Sequence, residues 1–173
     1  MADTPQFLTI KTNRDRPERL ELFFRRAFFG VIFLIALAAL LNVFGQRPTD
    51  TLAASPAADL HVFAPTAVRG GLFYEGRMTI DAKHEIEKAT IVLDSGWTEQ
   101  MHINTIEPAP VGESSRDGKL TLDFGHVPAG EKLVAWMQFQ VNPTNVGHRS
   151  QDVALYDDTT LLATADRKVT IFP

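Results

Sequence analysis

The chain has 173 residues, 45% of them hydrophobic, no cysteine and a net charge of −4. That charge is unevenly spread: residues 1–26 carry six bases and four acids, a net +2, while the other eleven bases and seventeen acids give −6. An acidic main body argues against nucleic acid as a partner, and a chain without cysteine must hold its fold by its core, with no disulfide or thiolate metal site.

Residues 1–16 are polar apart from Phe7-Leu8-Thr9-Ile10, too little for a fold, and are expected to form a cytosolic arm. An uncharged run then extends from Ala27 to Phe44, with Asn42 as its only polar side chain. Pro17 suits the first turn of a helix and Gly45 the residue just past its end, which frames one amphipathic and transmembrane helix over 17–45. The uncharged run matches the ~30 Å hydrocarbon core of a bilayer, given some thinning. Ahead of it, Leu20, Leu22, Phe23 and Phe24 suit the headgroup layer while Arg25 and Arg26 meet lipid phosphates; Phe28, Phe29, Asn42 and Phe44 complete the anchor.

Lys11, Arg14, Arg16, Arg19, Arg25 and Arg26 all precede the run. Basic residues stay inside, so the expected topology is a single pass through the inner or plasma membrane, with a cytoplasmic N-terminus and an extracytoplasmic C-terminal domain. A cleaved signal peptide is one alternative, with Ala36-Leu37-Ala38 as its site, and a buried core helix is another. The apolar run continues through Leu40, Leu41, Val43 and Phe44, which cleavage does not require, and no other helical segment exists to surround a core helix. Ala36, Ala39 and Asn42 fall at i, i+3 and i+6, a small strip that could face a partner helix.

Residues 46–59 (QRPTDTLAASPAAD) read as a linker, and residues 60–173 as an extracytoplasmic β domain. From Leu60 the hydrophobic period becomes two. Leu72, Tyr74, Met78 and Ile80 alternate with polar residues; Ala89, Ile91 and Leu93 start a second strand; Trp97 to Ile106 forms a third, with Met101 and Ile103 inward. Leu120, Leu122 and Phe124 share a face, and Val127 to Glu131 is a turn. Leu133 to Val141 is the strongest strand, with Leu133, Ala135, Met137, Phe139 and Val141 inward and Trp136, Gln138 and Gln140 outward. Asp157-Asp158 turns a hairpin, and Val169 and Ile171 mark a closing strand. Seven to nine such strands predict an all-β immunoglobulin-like sandwich preceded by one N-terminal transmembrane α-helix.

The stretch Leu72 to Arg77, then Ala89 to Trp97 and the Pro128-Ala129-Gly130-Glu131 turn before a long strand, resembles bacterial immunoglobulin-like modules. With residues 42–46 (NVFGQ) and 140–152 (QVNPTNVGHRSQD), the layout is similar to short, uncharacterised bacterial single-pass envelope proteins. That resemblance implies a neighbouring YetF-like multi-span membrane protein as a partner, and it carries no catalytic residues over.

Signals for chemistry are sparse. His61, His84, His102, His126 and His148 lie far apart and form no metal-ligand spacing, Asp157-Asp158 is explained as a turn, and no serine has a nucleophile-elbow setting. No enzyme, cofactor or metal is therefore expected. Two segments stand out as binding loops: residues 107–118 (EPAPVGESSRDG), with Pro108, Pro110 and Arg116, and residues 142–149 (NPTNVGHR), with Asn145, His148 and Arg149. Trp97 and Trp136 are candidate partner anchors. The function these features favour is a membrane-anchored accessory protein whose sandwich binds a membrane or envelope protein. The alternative is a carbohydrate- or envelope-polymer-binding module, which needs an exposed platform built from Tyr74, Trp97, Trp136 and Tyr156.

Overall fold

A computed structural model describes residues 17–43 and 45–173, with side-chain detail from residue 20 onward. Residues 1–16, expected to form a cytosolic arm, and Phe44 lie outside the described residues. Helix α1 runs over Pro17–Leu40, and Leu20–Leu40 is apolar and long enough to cross a membrane. The helix stops earlier than Gly45. Asn42 takes φ +55°, its N–H donates to the Ala39 carbonyl (3.0 Å), and the Val43 N–H reaches back to the Ala38 carbonyl (2.9 Å). That pair of hydrogen bonds is a left-handed helix cap, and asparagine tolerates it better than most residues. Asn42 therefore ends the helix and cannot extend a strip with Ala36 and Ala39 along it.

Residues 45–173 form a separate compact unit of thirteen strands in three sheets. The first sheet has the order β1-β2-β4-β9-β6, from Pro48–Ala54, Ala58–Pro65, Phe73–Ala82, Lys132–Val141 and Met101–Glu107. The second has the order β12-β11-β5-β8-β7, from Thr160–Ala165, Val153–Asp157, Ala89–Leu93, Lys119–Asp123 and Gly112–Arg116. A small third sheet joins β10 (Gly147–Ser150), β13 (Lys168–Phe172) and β3 (Ala67–Arg69), the last two in parallel. The architecture is the expected immunoglobulin-like all-β sandwich, preceded by one apolar helix.

The alternating faces are the physical reason for this layering. Along β9, Ala135, Met137, Phe139 and Val141 are buried while Trp136 and Gln138 are exposed, as the period of two requires. On β4, Tyr74, Met78 and Ile80 turn inward, but Leu72 lies in the preceding turn, half exposed. Gly76 holds the inward position between Tyr74 and Met78. A Cβ there would lie 3.1 Å from the Phe139 ring and 3.4 Å from the Trp97 ring, so the missing side chain makes room for both rings.

Two stretches that look like linker and loop are strands. Residues 48–54, inside the expected linker, form β1 and pair along their whole length with β2, from Pro48↔Pro65 to Ala54↔Asp59. Residues 112–116, inside the expected long loop, form β7 and pair with β8 around an Asp117-Gly118 turn in which both φ are positive. Each is the edge strand of its sheet, open to water on one side and carrying little apolar pattern.

Trp97 lies not on a strand but in a short 3-10 turn, Ser95–Trp97, capped by the Asp94 side chain. A Cβ on Gly96 would collide with the Ser150 carbonyl oxygen, so this turn can sit against β10 only with glycine. The Asp94 carboxylate accepts the Ser95 N–H (2.9 Å) and pairs with Lys119 (3.2 Å). Burial opposes its ionisation, yet hydrogen bonds from Ser150, the Ser95 N–H and Lys119 outweigh that and hold its carboxyl below the usual range. A carboxyl depressed in the folded state adds stability above its unfolded value and loses it as pH falls through the folded one. Asp94→Asn should thus cost stability at neutral pH and flatten the acid limb of a melting series below about pH 4. Parallel acid limbs for parent and variant would contradict this.

Candidate interaction surfaces

The outer face of the first sheet carries the arrangement closest to a recognition site. Strand pairing aligns Asp50, Phe63, Arg77, Trp136 and Glu107 in one row across five strands. Within it the Arg77 guanidinium lies 4.9 Å from the Phe63 ring centroid and 5.0 Å from that of Trp136. A cation held over two rings is fixed without a carboxylate partner, and it leaves a large amphipathic surface in place before any partner arrives. Trp136 remains 42% exposed. Beside the row lies a hollow of about 280 Å³, lined by Gln46, Pro48, Phe63, Pro65, Arg77 and Trp136 among others. On the other side of Phe63 and Arg77, along the same face, His61 Nδ1 sits 3.2 Å from the Asp50 carboxylate, and Lys132 donates to Asp81 (2.7 Å).

The outer face of the second sheet is polar. A groove of about 580 Å³ is lined by Lys88, Thr90, Arg116, Thr121, Asp123 and Asp158 among others. Lys88 lies between Asp123 (3.6 Å) and Asp158 (3.5 Å), and the Arg116 guanidinium covers the Tyr156 ring at 4.8 Å.

The residues singled out from the sequence do not converge. Trp97 is fully buried, its ring tilted against Phe139 with centroids 5.0 Å apart, and its indole N–H donates to the Gln151 carbonyl (2.9 Å). It is a core residue and presents nothing to a partner. Asn145 is equally buried, its amide donating to the Glu99 and Gln100 carbonyls (3.3 and 3.4 Å), so it braces the turn before β10. Pro108 is exposed and Pro110 half-buried in the connection from β6 to β7. Arg116 belongs to the second sheet, and Trp136 to the first. His148 and Arg149 lie on β10, His148 Nδ1 3.0 Å from the Thr170 hydroxyl and Arg149 3.8 Å from the Glu99 carboxylate. Arg25, Arg26, Phe28 and Phe29 lie on α1, all exposed.

Sequence reasoning missed Arg77 and Phe63. Arg77 looks like one more polar residue on an alternating strand; only the pairing of β2, β4 and β9 shows that two rings flank it. The same pairing separates the aromatic residues that a carbohydrate platform would need. Tyr74 and Trp97 are in the core, and Trp136 and Tyr156 lie on different sheets. Among the described residues no three His, Asp or Glu side chains gather in a metal-binding arrangement.

Fold and surface together define a β-sandwich domain behind an N-terminal apolar helix. No family model matches the chain, and no curated protein matches its sequence. Among solved structures it is similar to a CARDB domain from Pyrococcus furiosus crystallised with di-metal ions, at 12% identity over 73% of this chain and 96% of that one, TM-score 0.39. It is also similar to a non-cellulosomal cohesin from Archaeoglobus fulgidus, at 11% identity over 72% and 92%, TM-score 0.41. The C-terminal domain of wzt matches at 15% identity over 75% and 81%, TM-score 0.42. Nothing that those proteins bind transfers to this chain at such distances.

Proposed function

We propose that the chain is a membrane-anchored accessory protein that binds a partner protein in or beside the membrane through the outer face of its first sheet. The observation that carries this is the Phe63–Arg77–Trp136 row, an exposed tryptophan with an arginine held over its ring and that of Phe63. Tryptophan and arginine are enriched where interfaces concentrate their binding energy, and a side chain already held in place loses little entropy on binding.

The anchor complements that surface. In this reading α1 crosses the bilayer with its basic side in the cytoplasm and the sandwich outside. Residues 41–47 join α1 to β1, a connection of at most ~25 Å when fully extended. A partner in the same membrane is then met at high effective concentration, so a small patch suffices. The YetF-like multi-span protein implied by the sequence resemblance is the first partner to test. The action is binding rather than catalysis.

A photo-crosslinking residue at position 136 of the full chain, expressed in its native membrane, tests the proposal. It should yield one dominant membrane-protein adduct, which Arg77→Ala reduces severalfold and which the same probe at Ser114, on the second sheet, does not form. No adduct from position 136, or the same adducts from both positions, would sink it.

A further inference from the structure

Four large apolar side chains that the core does not use gather at one end of the sandwich. Leu72 (48% exposed) and Phe73 (53%) lie at the turn into β4, Val146 (50%) at the turn into β10, and Phe172 (53%) at the end of β13. Backbone bonds hold these segments together. The Gly70 N–H donates to the Phe172 carbonyl (2.8 Å), the Gly71 N–H to the Val141 carbonyl (3.0 Å), and the Val141 N–H to the Leu72 carbonyl (3.1 Å). Gly147 pairs with Ile171, which brings Val146 beside Phe172.

Strand register identifies this end. Pro48 is opposite Pro65, and Phe63 is opposite Arg77, so Pro65 is level with Glu75. Gln46, two residues before β1, lines the same hollow as Tyr74, the neighbour of Phe73. The apolar rim is thus at the end where the chain enters the domain, a few residues after the apolar helix. Charge divides the domain the same way. The far-end turns and strand ends carry Asp59, Asp81, Glu85, Glu87, Glu131 and Asp158, only partly offset by Lys83, Lys88 and Lys132. Beside the rim are Arg69, which donates to the Pro173 oxygen (2.8 Å), and Arg149, paired with Glu99, while Glu75 lies two residues from Phe73 on β4.

We propose that this rim rests in the headgroup layer of the bilayer, so that the sandwich stands on the membrane by the end at which its chain enters. The inference rests on the anchor reading above. Half-exposed Leu, Phe and Val on separate turns suit insertion among headgroups, where apolar tips leave water and flanking bases meet lipid phosphates. A lipid surface is favoured over a protein as the occupant because residues 41–47 keep this end within reach of the bilayer whether or not any partner is bound.

The absence of cysteine allows a direct test on the full chain. Single variants Val146→Cys, Phe172→Cys, Glu85→Cys and Leu34→Cys carry an environment-sensitive fluorophore. Each is reconstituted into vesicles of equal phosphatidylcholine and phosphatidylglycerol. Labels at 146 and 172 should shift to the blue, lose quenching by aqueous iodide and gain quenching by a headgroup-proximal nitroxide lipid; the label at 85 should do none of these. The label at 34 should be quenched by a deep nitroxide lipid. If 34 is quenched while 146 and 172 behave like 85, the rim proposal fails and the anchor stands. If 34 stays in water, the anchor reading fails and the rim proposal falls with it.

Discussion

Phe139→Ala should largely unfold the sandwich at 37 °C, with a loss of ~3–5 kcal/mol in urea melts. Phe139 is fully buried near the C-terminal end of β9, stacked on Tyr74 with centroids 5.0 Å apart and tilted at 40° against Trp97, also at 5.0 Å. Its neighbours have little freedom to collapse into the space. Tyr74 is tied by its hydroxyl, which accepts from the Gln151 amide (3.0 Å) and donates to Met101 Sδ (3.3 Å), and Trp97 is tied through its indole N–H. Truncation therefore leaves most of the ring's volume empty. A domain of this size has ~5–15 kcal/mol in total, and no disulfide restrains its unfolded chain. Gln138→Ala, one residue away on the wet face, should change stability by no more than about ±0.5 kcal/mol. A small loss at Phe139, or a large one at Gln138, would contradict the register of β9 itself.

The second large effect is expected at Arg167, in the turn between β12 and β13. Its side chain is 4% exposed, and its acceptors are all neutral. Nη1 donates to the Val62 carbonyl (2.8 Å) and the Thr51 hydroxyl (2.9 Å), and Nη2 to the Ala64 carbonyl (2.7 Å). Its backbone N–H donates to the Asp152 carboxylate (2.7 Å). One residue thus ties β1 and β2 of the first sheet to the segment that leads into β11 of the second. Burial pushes the guanidinium below its ordinary pKa, but an arginine stays charged in any accessible pH range.

Two effects compete when Arg167 is replaced by Met. Removing a buried charge recovers desolvation energy, while the acceptors on β1 and β2 lose charged hydrogen bonds worth ~1.5–3 kcal/mol each. Three short bonds outweigh the recovered desolvation, so Arg167→Met should cost on the order of 3 kcal/mol. Arg167→Lys should recover only part of that, because one ammonium cannot span the fork. Amide exchange adds a local readout: Thr49 to Leu52 on β1 should lose protection before the core does. Stability within about 0.5 kcal/mol of the parent, with β1 protection intact, would show that Arg167 is not the tie.

This tie bears on the proposed function. β1 is an edge strand, paired only with β2, and Pro48 at its start lines the hollow beside Phe63 and Trp136. Anything that loosens β1 alters that hollow and lengthens the connection from α1 by the residues released. In the proposed function, binding face and tether would thereby be coupled through one strand.

Two levels of information separate in this molecule. Where one face of an element is buried, the sequence alone carries the signal: the alternation on β4 and β9 and the inward Phe139 beside an outward Trp136 are legible as periods, and the apolar helix is legible from its length and lack of charge. Edge strands escape that rule. β1 and β7 are exposed along much of their length, so no burial imposes a period on PTDTLAA or GESSR, and they read as linker and loop. The strength of a helix cap at Asn42 rather than Gly45 likewise depends on backbone geometry that composition does not state. Long-range register decided the rest. Gly76 and Gly96 are small because Trp97 and β10 come from elsewhere in the chain, which buries a tryptophan that looks like a partner anchor. The row of Phe63, Arg77 and Trp136 exists because β9 inserts between β4 and β6, bringing residues 63, 77 and 136 level across non-consecutive strands. A period in sequence specifies which way a side chain points; only tertiary pairing specifies what it points beside.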